Sequence, residues 1–285
     1  MPELPEVETI RAQLAPLVEG RSFEQVSILD SRLTRPHDPR EVAAELEGEE
    51  VSTLERRGKY VVVQFETDRA LLIHLRMTGS LHHAHRSPPG TTGVDPYRRA
   101  VVTLDNGSDV TYRDVRRFGT WLLLEPGELD PYLAVRNGPE PLGRKFTTRF
   151  LRDRLSGRNA PVKAALLDQR TVAGLGNIYV DEALWHAGLH PHRPVGSLGE
   201  EEIRSVRGGI RRALERGIAR QGATLRDYRK PDGGSGSMQH EFKVYGREGE
   251  PCPRCGTLIE KTRAGGRGTW YCPACQRLGP SRETA

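Results

Sequence analysis

Apolar residues recur at helical spacing near the start of the chain. Val7, Ile10, Leu14, Leu17 and Val18 predict one helix over residues 5–19, ending near Gly20. Short β-like runs follow at 26–29, 60–65, 70–75, 100–104 and 120–124. Turn signals separate them, among them Asp105-Asn106-Gly107, a hairpin cue. These runs predict an antiparallel sandwich or barrel with a helix packed on it. Residues 82–98 contain Pro88-Pro89-Gly90 and read as a long flexible loop. Pro and Gly break the β pattern over 125–141, which reads as a linker. The pattern is then helical over 146–221. Its apolar positions are Phe150, Leu151 and Leu155; Leu166 and Leu167; Ile178, Ala183, Leu184 and Trp185; and the stripe Ile203, Val206, Ile210, Leu214, Ile218. That last helix opens with Glu200-Glu201-Glu202 and ends among Arg211, Arg212, Arg216 and Arg220, an order that suits the helix dipole. Residues 222–240 include Pro231-Asp232-Gly233-Gly234-Ser235-Gly236-Ser237 and read as a mobile loop or hinge.

Composition narrows the class. A chain of 285 residues is enough for about two domains. It is 36% hydrophobic and 28% charged, with a net charge of +5 carried mostly by Arg. A mildly basic, Arg-rich surface suggests a polyanion partner, since the guanidinium binds phosphate and guanine in bidentate fashion. No apolar run approaches the roughly 18 residues of a membrane helix. The acidic start lacks the basic and apolar regions of a signal peptide. A cytoplasmic protein is expected, associated with the nucleoid if DNA is the partner. All four cysteines lie between 252 and 275, which fits a reducing compartment.

Four constellations carry candidate chemistry. Cys252-Pro253-Arg254-Cys255 and Cys272-Pro273-Ala274-Cys275 have the spacing of one tetrahedral zinc site with four thiolate ligands, preferred to a redox disulfide pair. Four protein ligands make that zinc structural. Between the knuckles, Lys261, Arg263, Arg267, Trp270 and Tyr271 suit a nucleic-acid backbone, although the aromatics could simply cover the metal. In Gly174-Leu175-Gly176-Asn177, a glycine turn opening a helix can cradle phosphate, or can be an ordinary turn in the core. Lys59 follows Gly58 at a strand start, where a surface charge is the default. Arg116-Arg117-Phe118-Gly119 places Phe beside Arg, as a duplex-wedging loop would, unless Phe118 is core.

The start itself is the fifth. If the initiator methionine is removed, Pro2 becomes a secondary amine able to attack an aldehyde-level carbon and form an iminium without further protonation. The α-amino group titrates near pH ~7.7–8.0, so part of it is unprotonated at neutral pH. Glu3 and Glu6 place carboxyl groups beside it. The alternative is an exposed helix start, where Pro and Glu are common.

The chain resembles the formamidopyrimidine-DNA glycosylases, the bifunctional 8-oxoguanine glycosylase/AP lyases, over nearly its whole length. The marks are Pro2-Glu3-Leu4-Pro5-Glu6-Val7-Glu8, Arg57-Gly58-Lys59-Tyr60, Leu75-Arg76-Met77-Thr78-Gly79, Arg116-Arg117-Phe118-Gly119, Gly174 to Tyr179, Val244-Tyr245-Gly246-Arg247 and the four cysteines. The resemblance implies an α+β multidomain protein. It would comprise an antiparallel β-sandwich with a flanking helix (1–130), a helix-two-turn-helix domain (131–230), and a lesion loop with a four-cysteine zinc finger (231–285), with DNA between the lobes. It implies that Pro2 is the nucleophile on C1′, that Glu3 protonates the deoxyribose ring oxygen, and that Glu6 supports the geometry. Lys59, Asn177 and Arg267 would grip phosphates around the flipped nucleotide. Met77, Arg116 and Phe118 would fill the gap, Arg116 facing the orphan cytosine. One structural zinc, a damaged double-stranded DNA partner, no membrane and a monomeric state complete the expectation. Two departures bear on lesion preference: Tyr97-Arg98-Arg99 replaces a His-Asp-His-like segment, and Ser237-Met238 an aromatic pair. The runner-up readings are an endonuclease VIII-like glycosylase for oxidised pyrimidines and a non-catalytic damaged-DNA-binding protein.

Overall fold

The computed structural model describes residues 1–85 and 95–279. The chain forms two units: Met1–Leu133 with Gln221–Ser237, and Ala134–Arg220 with Met238–Ala285. The segments expected from chain order meet at 130 and 230, whereas residues 221–237 return to the first unit.

The first unit opens with α1 (Leu4–Val18), then β1 (Phe23–Ile28), α2 (Pro39–Leu46) and β2 (Val51–Arg57). It continues through β3 (Tyr60–Phe65), β4 (Ala70–His74), β5 (Gly79–His85), β6 (Arg98–Leu104), β7 (Ser108–Asp114) and β8 (Thr120–Leu124). Two four-stranded sheets result, in the orders β1-β6-β7-β5 and β2-β3-β4-β8. Every pairing is antiparallel. One core of α1, α2 and both sheets takes in Leu14, Phe65, Leu71, Ile73, Leu104 and Trp121. The alternate β4 residues Ala70 and Leu72 face a smaller cluster with Val62, Leu124 and Leu133. Burial on both faces is why 70–73 is a continuous apolar run, with His74 buried after it.

Four expectations change. The supposed loop at 82–98 is strand as far as His85 and again from Arg98, with 86–94 outside the described residues. The β5–β7 backbone pairing, His82 with Thr111 and His85 with Ser108, accepts polar side chains where burial falls off toward the end of β5. The supposed linker contains α3 (Leu129–Ala134), anchored by buried Leu133. Leu17, expected on the apolar face of α1, is 39% exposed. The supposed mobile hinge is hydrogen-bonded: Lys230 N donates to Gly234 O at 2.9 Å, Gly236 N to Thr224 Oγ1 at 3.0 Å, and His83 N to Pro231 O at 3.2 Å.

The second unit contains α4 (Thr148–Leu155), α5 (Val162–Leu167), α6 (Asn177–Ala187) and α7 (Glu200–Ala219). The hairpin β9 (Glu260–Ala264) and β10 (Arg267–Tyr271) lies between the two cysteine pairs. Helix α6 is buried on nearly every side, including Asp181 and Glu182. Among the described residues, no helix is long and apolar enough to cross a membrane.

Candidate active site and nucleic-acid interface

Pro2 is buried just ahead of α1, and Glu3 and Glu6 are each 2% exposed. A carboxylate in the first turn meets N–H groups that have no helical partner. Glu6 Oε2 accepts Glu3 N at 2.8 Å, and Oε1 accepts Ala223 N at 2.7 Å. One side chain thus ties the chain start to the returning segment. Gly222 makes this possible. Its φ is +77°, and a Cβ there would lie 2.8 Å from Glu6 Cγ. Tyr228 is buried in the main core, and its hydroxyl donates to Gln221 O at 3.2 Å. With Met1 attached, Pro2 nitrogen is an amide without a nucleophilic lone pair.

Lys59 sits in the two-residue turn between β2 and β3 and is 6% exposed, so it is no ordinary surface charge. The turn is tied to α1. Arg56 Nε donates to Glu8 Oε2 at 2.9 Å, and Arg56 Nη1 to Gly58 O at 3.2 Å. Tyr60 packs edge-on against His74, with ring centroids 4.7 Å apart. Burial, with the Arg76 and Lys59 charges nearby, pushes the His74 imidazole down to about 3. It is therefore neutral at physiological pH, and its Nδ1 accepts Arg76 N at 3.0 Å.

Met77, Arg116 and Phe118 stand on two loops that share one anchor. Asp114, 1% exposed, accepts the Thr78 hydroxyl and Arg116 N on Oδ1, and Gly119 N at 2.8 Å on Oδ2. Thr78 Oγ1 also accepts Arg116 N at 3.0 Å. This ties the Met77 loop to the Arg116–Phe118 loop. A side chain at 119 has no room, because a Cβ would fall 1.6 Å from the Tyr112 hydroxyl. The loop pushes Phe118 outward to 51% exposure, with Arg116 Cζ 4.7 Å from its ring centroid. Phe118 is therefore not core. Arg117 between them has φ +60°, a left-handed conformation costing a non-glycine residue roughly 1–2 kcal/mol.

In the second unit the glycine turn is set by Gln169. Its Oε1 accepts Gly174 N at 2.9 Å, and its Nε2 donates to Leu175 O at 2.8 Å. Asn177 opens α6, and its Nδ2 donates to Gly268 O at 3.1 Å. Gly268 O also accepts Lys163 Nζ at 2.9 Å. This sets exposed Arg267, at the start of β10, beside Asn177. The fully buried Lys163 pairs with Asp181 at 2.8 Å and donates to Thr269 Oγ1 at 2.8 Å. Trp270 N donates to the other Asp181 oxygen at 3.1 Å. Glu182 accepts Val244 N and Tyr245 N, each at 3.0 Å, and so fixes the segment leading to the zinc knuckles.

All four cysteine Sγ atoms lie within 4.8 Å of one another, with separations of 3.4, 3.5 and 4.0 Å among the closer pairs. Tetrahedral zinc with Zn–S of about 2.3 Å needs sulfurs about 3.8 Å apart, so the four thiolates fit one structural zinc. Trp185 Nε1 donates to Cys252 Sγ at 3.4 Å. Trp270 is partly buried and packs against the cluster that contains Cys252 and Cys272.

The structure thus gathers Pro2, Glu3 and Glu6, with Lys59 tied to the same helix; Met77, Arg116 and Phe118; Asn177 with Arg267; and the four cysteines. The first two groups belong to the first unit, the others to the second. Sequence reasoning missed Asp114, Gly222, Lys163 and His74. Of these, only Lys163 had a usable signal, in its partner Asp181, which with Glu182 interrupts the otherwise apolar α6.

Three family models match: the formamidopyrimidine-DNA glycosylase N-terminal domain over residues 1–121, the H2TH domain of the same enzymes over 137–229, and the zinc finger found in FPG and IleRS over 249–278. The chain is 46% identical over 278 residues to the formamidopyrimidine-DNA glycosylase of Symbiobacterium thermophilum, covering 97% of this chain and 89% of that one. It is 46% identical over 280 residues to that of Geobacillus kaustophilus, covering 97% and 100%. Among solved structures, a Lactococcus lactis FPG mutant in complex with Fapy-dG-containing DNA superposes with TM-score 0.89 at 36% identity, covering 97% and 100%. The MutM (FPG) protein of Thermus thermophilus gives 0.85 at 41%, covering 98% and 100%.

Proposed function

Because the chain belongs to the formamidopyrimidine-DNA glycosylase family, we propose that it is a base-excision-repair DNA glycosylase and AP lyase that removes oxidised purines, 8-oxoguanine and formamidopyrimidines, from duplex DNA. The observation that carries this reading is the buried Pro2-Glu3-Glu6 start, held by Glu6 to both its own backbone and Ala223. A reactive group fixed in this way loses little orientational freedom in the transition state.

The chemistry follows from the residues. A base inside a duplex is out of reach, so the damaged nucleotide is extruded at a cost of a few kcal/mol. Exposed Phe118 and Arg116, with half-buried Met77, take the place of the extruded base in the stack. The Pro2 amine attacks C1′ through its lone pair, the C1′–N bond to the base breaks, and the amine's N–H proton passes to the departing base. Glu3 gives a proton to the ring oxygen as the sugar opens, which leaves a Pro2 iminium. That iminium acidifies the C2′ proton. β-Elimination expels the 3′ phosphate and δ-elimination the 5′ phosphate, leaving a one-nucleotide gap. Lys59, Asn177 and Arg267 hold phosphates, so binding weakens steeply with salt. The zinc takes no part in the chemistry and holds the finger that carries Arg267. Attack requires cleavage of the Met1–Pro2 bond, so the working enzyme begins at Pro2. One chain supplies every part, which supports a monomer acting on nucleoid DNA in the cytoplasm.

The test compares cleavage of duplexes with 8-oxoguanine opposite cytosine and thymine glycol opposite adenine. Faster cleavage of the first is expected. Faster cleavage of the second would assign the chain to oxidised pyrimidines.

A further inference from the structure

The wedge loop has a second buried carboxylate beneath it. Asp30, in the segment after β1, is 4% exposed. Its Oδ1 accepts Arg32 N at 3.1 Å, and its main-chain oxygen accepts Leu33 N at 3.0 Å. Leu33 O in turn accepts Trp121 N at 2.7 Å in β8, which fixes this segment to the sheet. The other carboxylate oxygen accepts Arg117 Nε in a close charge-assisted hydrogen bond. Arg99 Nε lies 3.8 Å away and donates to Asp114 O at 2.9 Å. Asp30 and Asp114 therefore hold the loop from two sides. Asp114 grips its backbone at Arg116 and Gly119; Asp30 grips the side chain of Arg117.

Arg117 is the one residue between Arg116 and Phe118, and it holds the left-handed φ of +60°. If its backbone relaxed to a right-handed or extended conformation, Phe118 would turn away from its outward direction. Nothing in an arginine side chain favours φ > 0 by itself; the favouring contact is at the guanidinium. Arg117 is 39% exposed, yet the carboxylate that holds it is buried. A merely solubilising arginine would not need one.

We propose that Asp30 is a positioning residue for base extrusion: by clamping Arg117 it holds the strained backbone that projects Arg116 and Phe118 into the duplex. This rests on the glycosylase reading above. The clamp acts on extrusion of the base, so it matters most while a base is still present.

The test uses single-turnover kinetics on two duplexes, one with 8-oxoguanine opposite cytosine and one with a preformed abasic site. Losing one charge-assisted hydrogen bond in Asp30→Asn should slow base release roughly tenfold, more than it slows strand cleavage at the abasic site. Asp30→Glu should recover much of the loss. Glycine adopts φ > 0 without a clamp, so in an Arg117→Gly background Asp30→Asn should add little. Equal rates for wild type and Asp30→Asn would overturn the proposal. So would equal slowing on both duplexes, or the same Asp30→Asn effect in both backgrounds. Wild type inactive on both duplexes would instead overturn the glycosylase reading.

Discussion

In the first unit the projecting side chains stand on turns between strands. Buried carboxylates hold the wedge turn, Asp114 on Arg116 and Gly119 and Asp30 on Arg117, while Glu6 holds the chain start to Ala223 of the returning segment. In the second unit, Arg267 stands on a short hairpin held by a buried Lys163–Asp181 pair on one side and four thiolates on the other. The contrast follows core size. The sandwich core joins two sheets and two helices, so it can bury a few anions as clips. The finger's cluster is Trp185, Val244, Ile259 and two of the cysteines themselves, with a few partly buried neighbours. A core that small does not hold a hairpin in place without a metal.

Loss of zinc should act on the second unit most strongly of all. Structural zinc in such fingers contributes on the order of 10 kcal/mol to folding. Chelation should raise amide exchange across 251–276 while β3 and β4 stay protected. Equal loss of protection in β4 would mean that the metal supports both units.

Next is the ion pair. Lys163→Met leaves Asp181 buried and unpaired and should cost roughly 3–5 kcal/mol in urea unfolding. Lys163→Met with Asp181→Leu should recover most of that. A single-variant cost below about 1 kcal/mol would show that the pair does not hold the hairpin.

A third effect belongs to the first unit alone. His74 moves from 6.5 to about 3 on folding, so between those values the unfolded chain binds a proton that the folded chain refuses. Stability of this unit should therefore fall as pH drops through that window, by roughly 2–4 kcal/mol. His74→Gln should flatten that dependence, as read from unfolding midpoints at pH 4 to 7. An unchanged slope would place the acid sensitivity elsewhere.

The smallest effect on stability sharpens the division between scaffold and tool. Phe118→Ala should change unfolding free energy by less than about 0.5 kcal/mol, because the ring is exposed. Base release from 8-oxoguanine duplexes should nevertheless slow markedly. A large stability loss would return Phe118 to the core.

The tools are more legible in the sequence than their supports. Pro2, Lys59, Phe118 and the cysteine pairs are unusual residues in short local motifs. Asp114 and Asp30 look like ordinary surface acids until folding brings partners to them, and the partner of Glu6, Ala223, lies far along the chain from it. The strands β2, β5 and β7 are hard to read for a related reason: each buries only part of its residues, so polar side chains mask the alternation. The returning segment 221–237 looks like a hinge because its glycines signal flexibility. At Gly222 the missing side chain serves close approach to Glu6 instead.

Pro2, freed of Met1, is proposed above as the nucleophile. Borohydride reduction during reaction with 8-oxoguanine DNA, followed by peptide mass mapping, tests it directly. A covalent adduct is expected on the N-terminal peptide beginning at Pro2, abolished or strongly reduced in Pro2→Gly. An adduct on a lysine, or an active protein that retains Met1 in full, would contradict it.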